Sequence, residues 1–228
     1  MPMATTEYEI RLCLSCGLRY PLIGRQTGQP SCPACSADTS LVGAYPLQPE
    51  EIAPFKDSLL HLEVLIDNVP SARDIGSIFR AAYGFGVKHL YLCGITPTPD
   101  ATIVRRSAVG LSKYVPWTYH KDSVLTLRAL KELGYKAFGL EHDARAVSIK
   151  EVALARRRRA SDVDKKNPSP QSVTLSDKVL FVVGNEQAQV DPDLLHLCDS
   201  IVFLPLRGDK KLFNPVMVFT VAIGQIVL

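Results

Sequence analysis

The sequence has little of what marks several protein classes. No run reaches the roughly 20 apolar residues that a membrane span needs. The most apolar stretch, Leu212 to Leu228, is 17 residues long and contains Asn214, Pro215, Thr220 and Gln225. It reads as a buried or interface helix, and no membrane association is expected. The first twenty residues carry Glu7, Glu9, Arg11 and Arg19 and no apolar core, so no secretory signal is visible. Neither G-x-G-x-x-G nor G-x-x-x-x-G-K-[ST] occurs, which leaves a Rossmann dinucleotide site and a P-loop unsupported. Fourteen glycines and 16 prolines are too few for a collagen-like or low-complexity chain. The balance of 26 basic against 23 acidic residues, net +3, says little by itself about a polyanionic partner.

What is present is a globular chain of 228 residues, 46% of them hydrophobic, enough for one α/β domain and a small accessory module. The first 45 residues hold four of the six cysteines. Cys13-Leu-Ser-Cys16 and Cys32-Pro-Ala-Cys35 are two C-x-x-C knuckles with 15 residues between them. Two tight turns supplying two thiolates each match a tetrahedral, closed, structural zinc site. Gly17 and Pro33 suit the turns. A redox pair would instead sit between a strand and a helix. Cysteines used this way imply a reducing, cytoplasmic compartment. Cys93 and Cys198 read as small core residues. Residues 46–57, with three prolines, read as a linker, and 58–228 as the main domain.

That domain alternates strand and helix patterns. Strands are expected at His61–Asp67, Val87–Cys93, Val115–His120, Tyr135–Glu141, Lys178–Gly184 and Ser200–Leu204. Helices are expected at Ser71–Gly84, Thr102–Gly110, Asp122–Leu133, Asp191–Leu197 and Asn214–Leu228, with Asn214 as N-cap and Pro215 first in the helix. The alternation predicts a mostly parallel sheet covered on both faces. Arg156 to Ser176 has no apolar face and reads as an exposed loop. Its run Arg156, Arg157, Arg158, Arg159, with Lys165 and Lys166 beyond, suits phosphate binding through counterion release, and Arg73, Arg105 and Arg106 extend the basic set.

Three segments place polar residues where a strand ends, which is where open α/β sheets bind ligands. The first runs from Asn68 through Arg73, Asp74 and Gly76 to Arg80. The second is Val183-Gly184-Asn185-Glu186-Gln187-Ala188-Gln189, with Glu186 read as the one carboxylate at that edge. The third is Phe203-Leu204-Pro205-Leu206-Arg207-Gly208, followed by Leu212-Phe213-Asn214.

In this order the three segments resemble the motifs of the SpoU/TrmH-type ribose 2′-O-methyltransferases of the SPOUT superfamily, over about residues 61–226. The resemblance implies a trefoil-knotted α/β fold, a homodimer, S-adenosylmethionine (SAM) as methyl donor, and the ribose of tRNA or rRNA as substrate. It assigns Arg80, Glu186, Asn214 and the position of Asp74 to the catalytic set. It places SAM against Gly184, Leu204 and Phe213, with Asn185 and Leu206 beside them. A guanidinium is a poor base, so Arg80 would orient the RNA and stabilise developing alkoxide charge.

The chain departs from the family pattern at four positions. Asp74 replaces an asparagine, Leu212 a serine, Gln189 a glycine that favours left-handed backbone, and Pro215 an apolar residue. A catalytically degenerate RNA-binding relative is therefore the alternative reading, ahead of a zinc-ribbon adaptor. The ribbon stands where many relatives have an RNA-binding domain, and is expected to help select the RNA.

Overall fold

In the computed structural model, residues 7–24, 30–46, 61–160, 178–205 and 214–227 are described, with only the backbone for 155–160. The chain divides into two units, Met1–Pro54 and Phe55–Leu228.

The first unit is a three-stranded antiparallel sheet of β1 (Glu7–Cys13), β2 (Arg19–Ile23) and β3 (Thr39–Pro46), in the order β2-β1-β3. A sheet this small cannot bury a conventional core. A hydrogen-bonded arginine partly fills that role. Arg11 is buried, and it donates from Nε to Thr39 Oγ1 (2.9 Å), from Nη2 to the Thr39 carbonyl (2.9 Å) and from Nη1 to Glu9 (2.7 Å).

The second unit is a seven-stranded, all-parallel sheet. Its strands are β4 (His61–Asp67), β5 (Leu90–Cys93), β6 (Trp117–His120), β7 (Tyr135–Leu140), β8 (Val147–Ser148), β9 (Lys178–Val183) and β10 (Ser200–Phe203), in the order β6-β5-β4-β9-β7-β10-β8. The helices are α1 (Ala72–Gly84), α2 (Thr102–Ser107), α3 (Ser123–Glu132), α4 (Ile149–Ala160), α5 (Pro192–Leu197) and α6 (Pro215–Val227). The strands are continuous apolar runs because both faces are covered. Leu62, Val64 and Ile66 of β4 join Val179, Phe181 and Val183 of β9 under α1 and α6, in a core with Ile75, Ile78, Phe79, Phe219 and Ile223. Leu65, Leu180 and Val182 point the other way, against Leu127 and Leu130 of α3 and Leu194 of α5.

The caps follow the sequence. The side chains of Ser71, Asp122 and Asp191 each accept a backbone N–H at the start of α1, α3 and α5. Asn214 Oδ1 accepts from Val216 N (2.9 Å) at the start of α6. Gly76 lets α1 and α2 touch: a Cβ there would lie 2.7 Å from the Ala108 nitrogen and against Ser107 Oγ.

Two expectations need correction. Arg156 to Arg159 are not in a loop but form the last turns of α4. Ile149, Val152 and Ala153 bury one face of that helix upstream of the arginines. Cations near a helix C-terminus also oppose the macrodipole favourably. Residues 161–177 lie outside the described residues. The second strand starts at Leu90, not Val87, because the Val87 N–H bonds back to Ala82 O (2.9 Å) and closes α1.

Candidate functional site

The strand order fixes where a site forms. From β4 the chain steps outward through β5 to β6, then returns on the far side of β9. The order therefore reverses across the β4–β9 pair, and ligands bind outside the carboxyl ends of the strands at such a reversal. Asp67–Asn68, Glu141, Gly184–Asn185 and Leu204 all stand at that edge, Asp67 as the last residue of β4 and the others directly after β4, β7, β9 and β10.

The turn after β9 is closed on itself. Asn185 and Gln189 exchange both backbone hydrogen bonds, at 3.1 and 2.9 Å. Inside the turn, Asn185 Oδ1 accepts from Gln187 N (2.8 Å) and Ala188 N (3.1 Å). The turn is then tied to its neighbours. Asn185 Nδ2 donates to the Asn68 carbonyl (2.7 Å), Val190 N to Glu141 Oε2 (3.2 Å) and Asp191 N to Asp67 Oδ2 (3.3 Å). Gly184 is the hinge that permits this: a Cβ would sit 2.5 Å from Val190 N and 2.6 Å from Gln189 O.

Asp67 and Glu141 were missed by the sequence reading, which counted Glu186 as the one carboxylate at this edge. Glu186 is exposed in the turn, and no helix starts there, whereas Asp67 is 2% exposed. Burial pushes the Asp67 carboxyl up, against hydrogen bonds from Ser123, Asp191 N and Asn68. The signal was an acid as the last or next residue of an apolar run.

Gln189 also corrects an expectation. It adopts the left-handed conformation, at φ +66°, that its side chain was expected to resist. For a non-glycine residue this costs roughly 1–2 kcal/mol.

Arg80 is not gathered here. It is exposed in the second half of α1, nine residues or about 13 Å along the helix from Ser71. There it lines an open depression of about 550 Å³ with Ser77, Tyr83, Phe85, Leu111 and Thr220. Asp74 is in the first turn of α1, where a carboxylate suits the helix dipole, and its N–H donates to Ser71 Oγ (3.3 Å). Arg73 is exposed one residue earlier. Arg105 is held by its own loop, donating to Pro99 O (3.0 Å) and Asp100 O (2.8 Å). Leu206, Leu212, Phe213, Lys165 and Lys166 lie outside the described residues, as do the side chains of Arg156 to Arg159.

In the small unit the sulfur atoms of Cys13, Cys16, Cys32 and Cys35 lie within 4.8 Å of one another. Two knuckles of the same geometry build the cluster. Gly17 N donates to Cys13 O (3.2 Å) and Ser36 N to Cys32 O (2.8 Å), with Gly17 and Ser36 both at positive φ. Cys13 and Cys32 each accept a backbone N–H on sulfur at 3.4 Å. The Cys16 N–H holds the Cys13 thiol down at about 6. The Sγ–Sγ separations of 3.5 Å (Cys13–Cys35) and 3.7 Å (Cys16–Cys32) suit a tetrahedral zinc. Zn–S bonds of 2.3 Å place sulfurs about 3.8 Å apart.

The profile of the SpoU rRNA Methylase family matches residues 61–223. An uncharacterized tRNA/rRNA methyltransferase of Mycobacterium leprae is 22% identical over 175 residues, covering 77% of this chain and 50% of that protein. The 23S rRNA (guanosine-2′-O-)-methyltransferase RlmB of Nitrosomonas europaea is 24% identical over 153 residues, covering 67% of this chain and 50% of RlmB. The chain thus spans about half the length of these relatives. Among solved structures, the SpoU methyltransferase AviRb of Streptomyces viridochromogenes in complex with the cofactor AdoMet superposes with a TM-score of 0.59 at 17% identity, covering 85% of this chain and 69% of AviRb.

If the clamp holds the turn, Asn185→Ala should cost about 1–3 kcal/mol, because it strips partners from Asn68 O and from two N–H groups. Asn185→Asp keeps the acceptor but sets a carboxylate oxygen against the Asn68 carbonyl, and should cost at least as much. Urea unfolding reads both, and two variants as stable as the parent would contradict the clamp.

Proposed function

Because the chain belongs to the SpoU rRNA Methylase family, we propose that it transfers a methyl group from SAM to the ribose 2′-hydroxyl of tRNA or rRNA. The observation that carries the reading is the closed, three-point-anchored turn at the reversal of a parallel sheet, inside the family's matched span. SAM supplies an electrophilic methyl on a sulfonium. The described residues fit it: Leu204 gives an apolar wall, and Gly184 and Asn185 give fixed backbone beside it. Leu206 and Phe213 complete the set that the resemblance assigns. Glu186 and Asn214 hold the surrounding loops. Arg80 donates to the RNA phosphate and to the oxygen that loses its proton, with solvent taking the proton. Positioning of the 2′-oxygen in line with the methyl supplies most of the acceleration.

Arg80 lies about 13 Å along α1 from Ser71, away from the strand ends, which favours a homodimer in which each site draws on both copies. Helix α6 supplies a surface for it: it has no charged residue, and Met217 and Val221 are 59% and 45% exposed. The four thiolates hold a structural zinc that folds the ribbon. The ribbon, with the arginines of α4 and Arg73, helps hold the RNA. Among the described residues no helix is long and apolar enough to cross a membrane, and six free cysteines suit a cytoplasmic setting.

The departure at Asp74 has a local reason, the first-turn position in α1, and does not by itself favour a degenerate relative. Incubation with methyl-labelled SAM and total RNA, followed by digestion to nucleosides, should place label on 2′-O-methylribose, and Arg80→Ala should reduce it at least a hundredfold. Label on a base would overturn the reading. RNA binding without any transfer would mark the degenerate relative. Native mass spectrometry should find two chains with two zinc ions, and a metal-free monomer would contradict both assignments.

A further inference from the structure

Three features meet at Gln189. Its backbone is in the left-handed region, at φ +66°. Both its N–H and its C=O are fixed, to Asn185 O (2.9 Å) and Asn185 N (3.1 Å), so the residue cannot relax out of that conformation. The side chain is exposed, and no other described residue takes a hydrogen bond from its carboxamide. The turn around it leaves little freedom, since the N–H groups of Gln187, Ala188, Val190 and Asp191 are all engaged. Glycine would satisfy this backbone without strain. A strained residue is retained where its side chain has work to do. The strain does not serve packing, because the side chain touches solvent.

We propose that Gln189 is a specificity-determining residue: its exposed carboxamide, held rigidly at the sheet's carboxyl edge, hydrogen-bonds a base edge of the RNA beside the nucleotide to be modified. A carboxamide offers donor and acceptor together, which suits the edge of an unstacked base in a single-stranded loop. Phosphates are contacted elsewhere, by the arginines, so Gln189 contributes selectivity and not bulk affinity. This inference rests on the reading of the chain as an RNA-modifying protein.

The test uses the full chain with zinc, a panel of fluorescein-labelled RNA hairpins that differ only in the loop bases, and the variants Gln189→Gly and Gln189→Asn. The parent should prefer some loops by about fivefold or more, the range of a base-edge contact. Gln189→Gly should flatten the panel to within about twofold and leave the salt dependence of binding unchanged. Gln189→Asn, which tolerates the left-handed backbone and keeps the amide, should restore part of the spread. Gln189→Gly should also raise Tm by about 2–4 °C, which shows that the variant folds and that the strain is real.

A Gln189→Gly variant that keeps the parent's preferences overturns the assignment, and so does a lower Tm. A parent that binds the hairpins without preference also overturns it. A parent that binds none of them overturns the RNA reading itself.

Discussion

The candidate site depends on one short turn being held at three points. Asn185 to Gln189 closes on itself, and the residues at the ends of β4 and β7 accept its outward-facing donors. This is possible only because β9 is inserted between β4 and β7, which brings Asp67, Asn68 and Glu141 to either side of it. Two buried or half-buried carboxylates are costly unless they accept hydrogen bonds. Here they take backbone N–H groups that would otherwise be unpaired. Topology, electrostatics and the shape of the turn are one arrangement. Gly184 is its narrowest point, since no side chain fits between β9 and the returning chain.

The small unit solves a different problem by related means. Three short strands bury too little apolar surface to be stable alone. The four convergent thiols and the buried Arg11 guanidinium, bonded through each of its three nitrogens, partly replace a core. The two knuckles are near copies, each closing a turn through a residue at positive φ and each directing a backbone N–H at sulfur. Such geometry orients the sulfurs in advance, so less ordering would be left to the binding of a metal.

Much of this was legible in the residues. Continuous apolar runs such as His61–Asp67 and Lys178–Val183 marked strands buried on both faces, and cap residues marked the helix starts. The knuckle spacing announced the thiol cluster. Other features were hidden for physical reasons. The arginines of α4 masked a helix whose apolar positions, Ile149, Val152 and Ala153, sit just upstream. The extra strand β8 has two residues and no pattern to read. Asp67 and Glu141 were missed because a carboxylate ending an apolar run carries no sign of what it will accept. The left-handed Gln189 ran against its own intrinsic preference, and only the hydrogen bonds from Asn185 explain it. The place of Arg80 in the second half of α1, away from the strand ends, has no trace in motif order.

If the anchored turn forms the wall of a SAM site, the direct measurement is calorimetric titration of the zinc-loaded chain with SAM, repeated on Gly184→Val, whose side chain would push the turn away from β9. Binding in the micromolar range is expected, on the order of −8 kcal/mol, with its loss in the variant. No heat and no thermal stabilisation from SAM in the parent, or equal binding by both proteins, would contradict it.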